Sequence, residues 1–163
     1  MIRKTLKYQM RTVLLYLFFD ISNLDNLSRW MAQMDKRKAC KVGILVPKRE
    51  SSKKVVKNVK NNLTPYDNRY VWFRQPSITI NNDQISENLL DLVFIDADHS
   101  YDAVKQDLAH WYKKIRSGGW LMGDDYNSCH PGTTKAVDEF ANNNNLKINF
   151  LKKDGIDYPI YYF

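Results

Sequence analysis

Four side chains in the second half of the chain are of types that do chemistry: Asp96, His99, Asp124 and Asp125. Carboxylates repel one another, so a protein that only has to fold has little reason to gather three of them. Such a group serves to bind a cation or to move a proton. An imidazole three residues after the first acid adds a base, since imidazole ordinarily titrates near neutral pH. The bland alternative is a solvated cluster at strand ends, with His99 a helix cap or a support to its neighbours.

For these groups to meet, the elements before them must end on one edge. Leu92-Val93-Phe94-Ile95 is a continuous apolar run, the pattern of a strand buried on both faces of a parallel sheet, and it stops at Asp96. A helix is expected next, with Val104, Leu108, Trp111 and Ile115 on one face and Lys105, Asp107, Lys113 and Lys114 off it. Gly118-Gly119 is expected to stop that helix. Trp120-Leu121-Met122 then opens a second buried strand ending at Asp124-Asp125. Parallel neighbours joined by a right-handed crossover end on the same edge, where open α/β sheets bind ligands.

The chain has 163 residues and is 44% hydrophobic, enough for one domain with its own core. Cys40 and Cys129 are too few and too far apart for a disulfide scaffold or a zinc site, so a reducing, cytoplasmic setting is expected. The net charge of +7 is uneven. Residues 1–62 carry 15 Lys/Arg against 4 Asp/Glu, and residues 63–163 carry 10 against 14. The basic half could meet nucleic acid. No aromatic-interleaved basic motif supports that partner, so a solvated basic surface is the expectation. Val13 to Phe19 is apolar and follows Arg3, Lys4, Lys7 and Arg11, yet it falls far short of the about 20 residues that span a bilayer. No small-residue cleavage pattern follows it. It reads as a buried first strand, with no membrane partner.

In chain order, strands are expected at Thr12–Phe19, Val42–Val46 and Tyr70–Phe73. Helices are expected through Leu24, Leu27, Trp30, Met31 and Met34, and from Ser51 or Ser52 through Val55, Val56 and Val59 to Asn61-Asn62. Ile78 to Asn88 is ambiguous, with room for a short helix around Gln84. The loop Tyr126 to Gly132 brings His130 over the site, where it either touches a ligand or is incidental. Thr133 is expected to cap a helix through Ala136, Val137, Phe140 and Ala141. Leu146, Ile148 and Phe150, then Tyr158 to Phe163, read as two last strands joined by the turn Lys152-Lys153-Asp154-Gly155. His110 is expected on the surface, and the four tryptophans in the core. The sum is one α/β domain over residues 1–163, a mostly parallel seven-stranded sheet closed by a C-terminal antiparallel hairpin.

That order, and the segment Phe94-Ile95-Asp96-Ala97-Asp98-His99-Ser100-Tyr101, resembles the class I S-adenosylmethionine-dependent methyltransferases. Gly118-Gly119, Gly123-Asp124-Asp125-Tyr126, Pro131-Gly132 and Lys135 to Phe140 continue the likeness, which is specific over Leu89 to Ala141 and topological over residues 1–88. The resemblance implies a Rossmann-like sandwich and the cofactor S-adenosylmethionine. Among the cation-dependent O-methyltransferases it implies Mg²⁺ at the residues matching Asp96, Asp124 and Asp125, with His99 and Asp96 catalytic. The cofactor contacts it implies are Asp20, Ser22, Ser77, Asp96 and Ala97. The acceptor it implies is a hydroxyl of a small molecule, with sugars among the candidates. A homo-oligomer is compatible with all of this.

The front of the chain departs from the family pattern. The family's first loop is rich in glycine, the residue that lets backbone approach a ligand closely. This chain has no glycine before Gly43, and no acid ends its second strand between Val42 and Pro47. Three readings follow: methyl transfer to a hydroxyl, a non-catalytic binding or partner subunit that has lost the cofactor, or nucleic-acid binding through the basic half. A GxGxxG-type dehydrogenase is disfavoured, because no such glycine loop exists in the chain.

Overall fold

The computed structural model describes residues 12–17, 41–45, 61, 64, 70–73, 75–153 and 156–163. The helix expected over Leu24 to Met34, nearly all of the one over Ser51 to Asn62, and the first loop with Asp20 and Ser22 lie outside the described residues. Seven strands form one sheet: β1 (Thr12–Leu17), β2 (Lys41–Leu45), β3 (Tyr70–Phe73), β4 (Leu90–Asp96), β5 (Ile115–Gly123), β6 (Asn149–Lys153) and β7 (Ile156–Tyr162). Their spatial order is β3-β2-β1-β4-β5-β7-β6. The first five are parallel, and β7 runs antiparallel to both β5 and β6. The expected parallel sheet with a C-terminal hairpin is the one that forms.

The order reverses between β1 and β4, which is the switch point where open α/β sheets take ligands. Leu17 pairs with Asp96, and Ile95 with Gly123. Asp96 and Asp124 therefore leave the sheet side by side at its carboxyl edge. Leu90 to Ile95 are all buried, as a strand covered on both faces must be. Asp91 sits in that run because the Arg116 Nε–H donates to its carboxylate at 2.7 Å.

Two helices follow the strand ends: α1 (Tyr101–Tyr112) and α2 (Pro131–Asn143). Helix α1 buries Val104, Leu108 and Trp111, and α2 buries Ala136, Val137 and Ala141. Full burial of Leu108 and Trp111 is worth roughly 1.5–3 kcal/mol each, so packing holds α1 in place more than helix propensity does. Trp111 is core, as expected. Trp120 is only partly buried and meets the Tyr162 ring at 5.3 Å. No helix among the described residues is long and apolar enough to cross a membrane.

Several local expectations need correction. Ile115 opens β5 instead of closing α1, which ends at Tyr112. The chain turns there because the Lys114 ammonium is drawn inward, donating to the Ile85 carbonyl at 2.6 Å and to Asn82 Oδ1 at 3.1 Å. Gly118-Gly119 lies inside β5. Pairing moves from Leu90↔Ile115 to Leu92↔Trp120, so the glycines bulge the strand, with Gly118 at φ +71°. Thr133 is buried within α2; His130 occupies the cap position and Pro131 starts the helix. A proline there needs no N–H partner and already has helical φ. No helix forms around Gln84. A 3₁₀ turn spans Ser77–Thr79, and the Asn81 side chain then accepts the N–H groups of Asp83 and Gln84, holding a turn instead. His110 is half-buried, edge-on to Trp111 at 5.0 Å, and not a surface residue.

Candidate active site at the carboxyl edge of the sheet

The turn from β4 into α1 delivers Asp96, Ala97, Asp98 and His99. Asp98 Oδ1 accepts the Ser100 N–H at 2.8 Å, which folds the turn back and holds the Asp98 carboxyl below its usual pKa. His99 is thereby aimed across the edge. Its Nε2 lies 2.8 Å from Asp125 Oδ2 and 3.9 Å from Asp96 Oδ1.

The turn from β5 into α2 is longer. Asp125 takes a left-handed conformation, φ +63°, and its N–H donates to Asp124 Oδ1 at 2.9 Å. Asn127 then organises the loop: its Oδ1 accepts the N–H groups of Cys129 (2.8 Å) and His130 (3.0 Å), and its carbonyl accepts the Thr134 hydroxyl. His130 Nδ1 is left 3.4 Å from Asp125 Oδ1, and its ring meets that of His99 edge-on at 4.4 Å. The two turns lean on each other at Gly132. A Cβ there would come within 2.7 Å of the His99 carbonyl oxygen and the Tyr101 nitrogen.

Asp96 takes up a proton at about pH 7, far above the ordinary 3.8, first because burial penalises its charge and then because Asp124 and Asp125 repel it. Beneath them Tyr161 is fully buried, and its hydroxyl fills the space a Gly123 Cβ would need. Burial, and next the surrounding carboxylates, hold that phenol protonated. On the outer side of the loop the Tyr126 hydroxyl donates to Asp138 Oδ1 at 2.8 Å, with its pKa raised to about 12 by burial first and by Asp138 next.

Asp96, His99, Asp124 and Asp125 thus arrive at one edge as expected. Ser77 is buried, and its hydroxyl donates to Asp107 Oδ1 at 2.5 Å, leaving only lone pairs for any ligand. Asp20 and Ser22 lie outside the described residues. The tightest potential ligand group among the described residues differs from the expected trio of acids: it is His99, Asp125 and His130, whose ligand atoms all lie within 4.8 Å of one another. His130 was expected over the site as a ligand contact or an incidental loop residue, not as a partner of Asp125; Asn127 and Tyr161 were not singled out by sequence. The one local signal was Pro131-Gly132 directly after His130, a helix start that must pack closely. A groove of about 560 Å³ runs beside the loop along α2, lined by Tyr126, Asn127, Thr134, Lys135 and Asp138. It includes none of Asp96, His99 and Asp125.

A family model described as a methyltransferase domain matches residues 24–126, more than half of the chain. An uncharacterised protein of Acanthamoeba polyphaga mimivirus is 44% identical over 39 residues, a stretch spanning 24% of this chain and 18% of that protein. Among solved structures, a TDP-rhamnose 3'-O-methyltransferase of calicheamicin biosynthesis is similar with a TM-score of 0.74 at 14% identity, covering 98% of this chain and 74% of that one. A Podospora anserina methyltransferase solved with SAH bound is similar with a TM-score of 0.61 at 17% identity, covering 93% of this chain and 70% of that one. At such identities the likeness speaks for the fold. Taken with the 3-2-1-4-5-7-6 strand order, these findings mean that the chain belongs to the methyltransferase domain family and has its Rossmann-like class I fold.

Proposed function

We propose that the chain transfers a methyl group from S-adenosylmethionine to a hydroxyl of a small molecule, with sugars the first acceptors to try. The observation that carries this reading is the placement of His99 Nε2 against two carboxylates. That atom is buried and makes no aligned hydrogen bond, yet it sits between the carboxylates of Asp125 (2.8 Å) and Asp96 (3.9 Å). A proton taken there from an acceptor hydroxyl lands between two acids that stabilise the imidazolium. When bound, S-adenosylmethionine supplies a methyl group on a cationic sulfur. The acceptor oxygen forms the new C–O bond as the S–CH₃ bond breaks, and sulfur keeps the electron pair, giving S-adenosylhomocysteine.

The donor set suits a cationic cofactor, because three crowded carboxylates at the switch point are relieved by a nearby positive charge. Asp96 and Ala97 would border it, with Ser77 offering acceptor lone pairs; the other expected contacts, Asp20 and Ser22, lie outside the described residues. Mg²⁺ fits less well. It prefers near-octahedral oxygen ligands, whereas the tightest described group offers two imidazole nitrogens and one carboxylate. No step here runs through Mg²⁺.

The test is calorimetric titration with S-adenosylmethionine and S-adenosylhomocysteine, followed by a screen of sugar acceptors. Micromolar binding and turnover are expected. His99→Gln should retain S-adenosylhomocysteine binding and lose turnover by about 10²–10⁴-fold. The second reading, a binding or partner subunit, is favoured by the glycine-free loop before Gly43. A well-folded protein that ignores both ligands at millimolar concentration would sink methyl transfer in favour of that reading.

A further inference from the structure

We infer that His99, Asp125 and His130 form a binding site for a borderline divalent transition cation such as Zn²⁺. Three observations converge on it. The ligand atoms all lie within 4.8 Å of one another, and two of the pairs are at 2.8 and 3.4 Å. Atoms that share one ion at about 2.1 Å must lie within about 4.2 Å of each other, so a small turn of either ring closes the group. Both imidazole nitrogens facing Asp125, Nε2 of His99 and Nδ1 of His130, are buried and meet its carboxylate without an aligned hydrogen bond. A cation shared with that carboxylate would satisfy both at once. Asp125, at φ +63°, sets its carboxylate between the two rings, one oxygen toward each.

The donor chemistry selects the ion. Two imidazoles and one carboxylate suit Zn²⁺, Co²⁺ or Fe²⁺ and disfavour Mg²⁺. One carboxylate leaves part of the ion's charge uncompensated, and Asp96 and Asp124 stand close enough to balance it. One consequence rests on the methyl-transfer reading. Nε2 of His99 cannot hold an ion and take a proton together, so bound Zn²⁺ would silence the base.

Full-length protein freed of metal by chelation is titrated with Co²⁺ near neutral pH while its visible absorption bands are followed. Saturation at one equivalent is expected, with displacement by Zn²⁺ and none by millimolar Mg²⁺. His130→Ala and His130→Gln should each weaken Co²⁺ binding by about 100-fold while circular dichroism shows the fold retained. Absence of the bands with folded protein, undiminished affinity in both variants, or displacement by Mg²⁺ overturns the site. The ion is read without S-adenosylmethionine, so this failure and that of methyl transfer are told apart.

Discussion

The two strand-to-helix turns that build the site reach the same edge by different means. The turn after β4 is short, and one local bond from the Ser100 N–H to Asp98 sets its course. The turn after β5 is longer and depends on distant support: Asn127 gathers its N–H groups, Thr134 ties its carbonyl, and Gly132 seats α2 on the first turn's backbone. The first turn could form in a short peptide; the second needs its neighbour already in place. The helices differ in kind as well. Helix α1 is anchored by a buried carboxyl, Asp107, held by Ser77. Helix α2 is anchored by tyrosine–carboxylate bonds nearer the surface, Tyr126 to Asp138 and Tyr101 to Glu139.

The contrast can be broken at the seat between the turns. Gly132→Ala puts a Cβ within 2.7 Å of the His99 carbonyl oxygen and the Tyr101 nitrogen, both of them backbone atoms that yield little. A loss of about 3 kcal/mol in urea unfolding is expected. An unchanged midpoint would mean that the two turns do not lean on each other.

A pH series sharpens the contrast between the helices. Asp107 titrates at about 6 in the folded protein against 3.8 ordinarily, first because burial penalises its charge, with the Ser77 bond opposing. A raised carboxyl favours folding while protonated, so its contribution is full below about pH 4 and lost as pH rises through about 6. Wild-type protein should therefore lose about 2 kcal/mol from this group between pH 4 and 7. Asp107→Asn, which still accepts from Ser77, should flatten that part of the curve in thermal melts. Equal slopes in the two proteins would place the pH sensitivity outside α1.

The smallest expected effect lies in the second turn itself. Asn127→Ala removes the acceptor for the Cys129 and His130 N–H groups and should cost about 1 kcal/mol. Hydrogen exchange at Cys129 and His130 should quicken while that at Ser100 stays as it was. Equal acceleration in both turns would show that they open as one unit.

The β4–α1 turn was legible in the sequence because each determinant is local: an apolar run, an abrupt stop at Asp96, and a helical pattern a few residues on. The end of α1 was misread because Ile115 continues the spacing from Trp111, while the groups that halt the helix, Asn82 and the Ile85 carbonyl, lie about thirty residues upstream. Gly118-Gly119 misled for a related reason. A glycine pair marks a departure from regular backbone without saying whether it ends a helix or bulges a strand.

Sequence by itself determined the parallel sheet, its antiparallel hairpin and the arrival of Asp96, His99, Asp124 and Asp125 at one edge. Those follow from periodicity and from the handedness of the crossover, which act along the chain. Only the tertiary structure decided that His130 joins His99 around Asp125, that Ser77 is committed to Asp107, and that Tyr161 underlies the acids. Each of those joins at least two side chains about thirty residues or more apart in sequence, brought together by packing and backbone turns that no local pattern encodes.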